Sequence, residues 1–144
     1  MRYFTKEYQA MLQSSAFVPD EIVSSFIKAT KEGYDKCFAS DFGETPPEFW
    51  NELMLHDCEI SENFWREDDF IMVLDDGDVK VAFKKAKILE QEGELDGTFW
   101  IYDELYKSKN IYEIHTMLAK YGGKRPEYIY LTLNCEDVIV EWKD

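Results

Sequence analysis

Phe70-Ile71-Met72-Val73-Leu74-Asp75-Asp76-Gly77-Asp78-Val79-Lys80-Val81-Ala82-Phe83-Lys84 decides the fold class. Residues 70–74 are a continuous apolar run, as expected of a strand covered on both faces. Asp75-Asp76-Gly77-Asp78 follows, the kind of turn that closes a hairpin. Val79, Val81 and Phe83 then alternate with Lys80, Ala82 and Lys84, the period of a strand with one buried face. The pattern continues toward the C-terminus. Glu94-Leu95-Asp96-Gly97 marks a turn. Segments 98–105 and 111–118 read as strands, and Tyr121-Gly122-Gly123-Lys124 separates them from a strand over 128–133. Val138, Val140 and Trp142 alternate in a last one. The sum is an antiparallel meander of about six strands.

Helical signals dominate upstream. Thr5 before Lys6-Glu7-Tyr8 reads as an N-cap, with Glu7 in the first turn where the helix dipole favours a carboxylate. Tyr8, Met11 and Leu12 share a face, and Ser14-Ser15 ends the helix. Pro19-Asp20-Glu21 opens a second helix running to about residue 40, with Ile22, Phe26, Ala29 and Gly33 on a stripe that Val23 and Ile27 widen. Thr45-Pro46-Pro47-Glu48 starts a third, presenting Phe49, Trp50, Leu53 and Met54. Helices followed by strands predict an α+β fold, about three N-terminal helices packed on the C-terminal antiparallel meander. Residues 1–144 form one domain, helical over about 5–54 and β over about 55–144.

Charge narrows the partners. Sixteen Lys and Arg face thirty Asp and Glu, a net charge of −14. The excess is spread along the chain, with 6 basic and 14 acidic residues in 1–68 and 10 and 16 in 69–144. That field repels phosphate backbones and anionic membranes and attracts basic proteins. The expectation is no direct nucleic acid and no membrane. Cys37, Cys58 and Cys135 are an odd number at wide spacing, without a Cys-x-x-Cys pair, as for free thiols in a reducing cytosol. The opening residues lack the apolar run of a signal peptide, and no stretch nears the roughly 18 apolar residues of a membrane span. A cytoplasmic location follows as an expectation.

Candidate chemistry is sparse. The two histidines are His56, beside Asp57, and His115. In a strand over 111–118, Glu113, His115 and Met117 share a face. Glu104, on the strand before, could oppose it. His56, Asp57, Glu104 and His115 are therefore the candidate catalytic set, for acid–base or metal-assisted hydrolysis. The metal-dependent phosphohydrolases named for a His-Asp pair need further histidines upstream, and none precedes residue 56. Asp75–Asp78 lacks the spacing of a calcium loop. Gly122-Gly123-Lys124 lacks the phosphate-loop spacing, and no Ser sits in a nucleophile elbow. No cofactor is implied and no metal site is assigned. Trp100, Tyr102 and Tyr106, with Phe99 and Ile101 opposite, form an aromatic strand that Tyr112, Tyr128 and Tyr130 extend. Trp100, Tyr102, Tyr106 and Tyr112 are the candidate binding residues, since rings among carboxylates suit a basic partner.

Tyr3-Phe4-Thr5-Lys6-Glu7-Tyr8 resembles the opening of an uncharacterised family of Firmicute-type bacterial proteins. Leu55-His56-Asp57, Trp100-Ile101-Tyr102-Asp103-Glu104-Leu105-Tyr106 and Tyr112-Glu113-Ile114-His115 carry the resemblance further. It implies that the four segments belong to one unit, and it brings no catalytic residue. The leading functional expectation is a non-enzymatic acidic binding module, immunity- or adaptor-like, that recognises a basic protein. The alternatives are a small hydrolase using His56 and His115 with carboxylates, and small-ligand binding in an aromatic-lined groove between helices and sheet.

Overall fold

The computed structural model describes residues 1–13 and 17–143. The expected helix end at Ser14-Ser15 lies outside them. Helix α1 spans Lys6–Gln13 and α2 spans Asp20–Phe42. Thr5 caps α1, its Oγ1 accepting the Tyr8 N–H at 3.2 Å. The inward stripe of α2 runs through buried Val23 and Tyr34 and half-buried Phe26, Thr30 and Phe38; it keeps Val23 and Phe26 of the expected stripe but turns so that Ile22 and Ala29 are exposed. The third helix is corrected: Glu48–Asn51 is a single 3-10 turn, its start restricted by Pro46-Pro47 and its end unwinding into Leu53–Leu55.

Eight strands follow: β1 Ile60–Arg66, β2 Asp69–Leu74, β3 Val79–Lys84, β4 Lys87–Gln91, β5 Phe99–Ser108, β6 Ile111–Lys120, β7 Glu127–Cys135 and β8 Asp137–Trp142. They make two antiparallel sheets, ordered β1-β2-β3-β8 and β4-β7-β6-β5. The six expected strands are β2, β3 and β5 to β8. The two additions left little signal. Strand β1 (ISENFWR) does not alternate, and β4 (KILEQ) is a short, mostly exposed edge strand. The order is also not a simple meander. Strands β3 and β4 are nearly one strand bent at Lys85-Ala86, and β7 and β8 nearly one bent at Glu136, where the Glu136 N–H bonds the Lys84 carbonyl at 2.9 Å. Lys85 has φ 49°, the kink that carries the chain from one sheet to the other. On the opposite side, Cys58–Ile60 pairs with Thr98–Trp100 through N–H to carbonyl bonds of 2.8 and 2.9 Å.

The main core lies between the sheets, around Phe70, Met72, Phe83, Trp100, Leu105 and Leu118. Phe70, Met72 and Leu74 face the core; on the outer face Ile71 is buried but Val73 is half-buried, so the run is covered fully on one side and only in part on the other. The other face of the β5–β6–β7 layer is rich in tyrosine, and α1, α2 and the N-terminal strap Met1–Phe4 cover it. Helix α2 runs along the free edge of β5 and satisfies it. The Tyr34 hydroxyl accepts the Leu105 N–H at 2.9 Å and Asp41 Oδ2 accepts the Lys107 N–H at 3.1 Å. An open edge that would invite pairing is thereby closed.

Candidate functional site

A β-bulge in β5 organises the site. Trp100 pairs with Leu118 and Tyr102 with Met117, so Ile101 is an extra residue. The bulge reverses the alternation: Trp100 points into the core at 1% exposure, while Tyr102 and Tyr106 point to the helix side. The expected single aromatic face of Trp100, Tyr102 and Tyr106 is thus split. The Ile101 carbonyl, freed from the ladder, stands 2.6 Å from His56 Nδ1. Only an Nδ1–H satisfies it, which sets the His56 tautomer. His56 Nε2 faces Asp57 Oδ2 at 3.4 Å, in an exposed pair.

A groove of about 720 Å³ opens here, between α2, segment 50–56 and β5. Phe4, Trp50, Leu53, Ile101 and Tyr102 supply apolar walls, and Lys31, Asp35 and His56 stand at its polar rim. Asp103 is the carboxylate of its β5 wall. Its Oδ2 accepts the Trp100 indole N–H at 2.8 Å, and Oδ1 has no hydrogen-bond partner among the described residues. Burial pushes the Asp103 carboxyl up to about 6; the Trp100 bond opposes the shift, the adjacent Glu104 adds to it, and His56 opposes it.

A second polar cluster lies under the strap. Glu104 is fully buried, and its carboxylate accepts four hydrogen bonds. The N–H groups of Arg2, Tyr3 and Phe4 donate at 2.9, 3.0 and 2.7 Å, and the Tyr106 hydroxyl donates at 2.6 Å. Burial first, and the Glu104 carboxylate next, raise Tyr106, which keeps its hydroxyl a donor. The Arg2 guanidinium lies 4.0 Å from the Tyr106 ring centroid and 3.6 Å from Glu113. His115 is directly opposite Glu104 in the ladder, donates from Nε2 to Glu113 at 2.6 Å, and leaves Nδ1 buried without a partner among the described residues.

The candidate catalytic residues therefore stand in two networks. His56 is at the groove rim with Asp57 paired to it, while Glu104 and His115 are beneath the strap. No hydrogen bond or ion pair joins them among the described residues. Nor does any group of three or more His, Cys, Asp or Glu side chains among the described residues stand ready for a metal ion. Of the candidate binding residues, Tyr102 lines the groove. Trp100 and Tyr106 are buried, and Tyr112 packs edge-on to Phe49 with centroids 5.1 Å apart. Cys58 and Cys135 are buried thiols pushed up to about 11 and about 12, poor nucleophiles at neutral pH. Sequence reading missed Asp103, Asp35, Lys31 and Trp50. The one signal for Asp103 was its place three residues after a tryptophan in the same strand.

No protein-family model matches the chain, and neither a curated protein nor a solved structure matches it. No helix among the described residues is long and apolar enough to cross a membrane. Function has to be argued from the chemistry of the site.

Proposed function

We propose that the chain is a non-enzymatic binding module that recognises a basic protein, taking a cationic side chain of the partner into the groove between α2, segment 50–56 and β5. The observation that carries the reading is an apolar groove walled in part by the Asp103 carboxylate, in a chain of net charge −14. Apolar walls suit the methylene stem of a long side chain, and the carboxylate suits its charged head. The field of the whole molecule draws a basic protein toward it. The acid–base alternative needs the two imidazoles in one network, and they belong to separate ones. Membership of the bacterial family that the opening segment resembles is part of the same proposal and brings no residue roles with it.

Two peptides of equal length, one rich in lysine and one rich in glutamate, test the reading by calorimetry. The lysine-rich peptide binds and weakens as salt is added; the glutamate-rich one does not bind. Equal binding of both, or of neither, sinks it.

A further inference from the structure

We propose that the groove takes a primary alkylammonium group, the head of a lysine side chain, against Asp103 Oδ1, and releases it on mild acidification when that carboxylate gains a proton. The inference rests on the binding reading above and goes beyond it in naming the ligand group, the receiving atom and the control of its occupancy.

The geometry selects this chemistry. Trp100 Nε1–H bonds Asp103 Oδ2, so Oδ1 is the oxygen left without a donor among the described residues. One free oxygen offers a single strong acceptor, and an ammonium is a compact charge that one acceptor serves well. A guanidinium gains most from a bidentate carboxylate, and here the indole already holds one of the two oxygens, which favours the single-acceptor ammonium. The walls near Asp103, Ile101 and Tyr102 on β5 with Trp50 and Leu53 across from them, pack an alkyl stem. A neutral Asp103 offers no charge to an ammonium. Because burial has already moved that carboxyl close to neutrality, mild acid is sufficient to switch it.

The other groups around the carboxylate come from each packed element. Helix α2 contributes Lys31, Asp35 and the Tyr34 hydroxyl, segment 50–56 contributes His56 with Asp57 beside it, and β5 contributes Glu104. Glu104 is saturated by its four donors and turned to the strap. Asp35 remains at the rim, where it assists approach. His56 stands at the same rim, where a positive charge would repel an ammonium too. The variant His56→Gln separates its effect from that of Asp103.

The test uses the full chain, isotope-labelled, with n-hexylammonium as probe and n-hexanol as its uncharged counterpart, followed by NMR. The expected result is that n-hexylammonium shifts the Trp100 indole N–H and the amides of 101–103, that n-hexanol does so far more weakly, and that affinity falls about tenfold from pH 8 to pH 5. The dependence persists in H56Q and vanishes in D103N, which binds the amine as weakly at pH 8 as the parent does at pH 5. The Trp100 indole N–H of the parent chain follows the Asp103 proton directly, so the result does not depend on a variant. Amine binding that is independent of pH, or unchanged in D103N, or made independent of pH by H56Q, overturns the inference and leaves the binding module standing. Binding of the lysine-rich peptide with no shift in the groove from n-hexylammonium also overturns it. Failure of that peptide to bind removes both.

Discussion

Glu104 shows what a buried charge requires. A fully buried carboxylate survives only when its lone pairs are met, and here three successive backbone N–H groups and a phenol meet them. Glu104→Ala leaves those donors unpaired and is expected to destabilise the chain by about 3–5 kcal/mol in urea unfolding. A loss below about 1 kcal/mol would mean that water replaces the carboxylate freely. Asp103 behaves in the opposite sense. Its folded-state pKa is raised from 3.8 to about 6, so the folded chain holds this proton more tightly than the unfolded one. The Asp103 contribution to stability therefore increases as pH falls from about 6 toward 3.8 and is unfavourable above 6. Asp103→Asn keeps an acceptor for the Trp100 indole and removes the half-buried charge. It should be more stable than the parent at pH 8, on the order of 1–2 kcal/mol. The advantage should shrink toward zero near pH 4, as read from paired melts; an advantage independent of pH would refute the assignment.

At the scale of elements, the N-terminal strap links the helices to the sheet. It lies between α2 and β5, with Glu104 holding its backbone and Phe4 stacked on Tyr102 at 5.6 Å between centroids. Gly33 in the middle of α2 fits this arrangement. A Cβ there would stand 2.9 Å from Tyr3 Cε1. Helix propensity alone makes Gly→Ala stabilising by about 1 kcal/mol in an interior position. Gly33→Ala is expected to destabilise instead, because the Tyr3 ring must shift within the strap. In a Tyr3→Ala background the same change should recover its propensity gain, so the double-mutant cycle should be strongly non-additive. Additive effects would separate the glycine from the strap. The strap also positions Phe4 in the groove, so the N-terminus and the candidate site are parts of one assembly.

For the whole molecule, a net charge of −14 on 144 residues acts against compactness. Basic groups are engaged locally, as in Lys6–Glu92 at 2.8 Å and Lys85–Glu136 at 3.4 Å, but the excess of carboxylates remains. Screening should therefore stabilise the fold. Raising NaCl to roughly 0.5 M is expected to increase Tm by a few degrees near neutral pH, where screening of self-repulsion outweighs the weakening of surface pairs. A decrease would mean that the ion pairs matter more than the net charge.

The chain itself determined the class of fold and most of its parts. Residues 70–84 specify a hairpin through local rules, an apolar run, a turn and a period of two, and those rules need no distant partner. The same holds for α1 and α2. What only the tertiary structure decided is where local order is broken or where a strand is held from outside. The bend at Lys85-Ala86 divides the strands between two sheets, and no run of hydrophobicity marks it. Strand β4 is an exposed edge specified by its neighbour rather than by its own residues. The bulge at Ile101 shifts the phase of β5, turning Trp100 inward and bringing His56 and Asp103 to one groove while Glu104 goes to the strap. A one-residue slip leaves composition and spacing almost unchanged yet reverses every face that follows it, so the site belongs to the assembled sheet and not to any segment read alone.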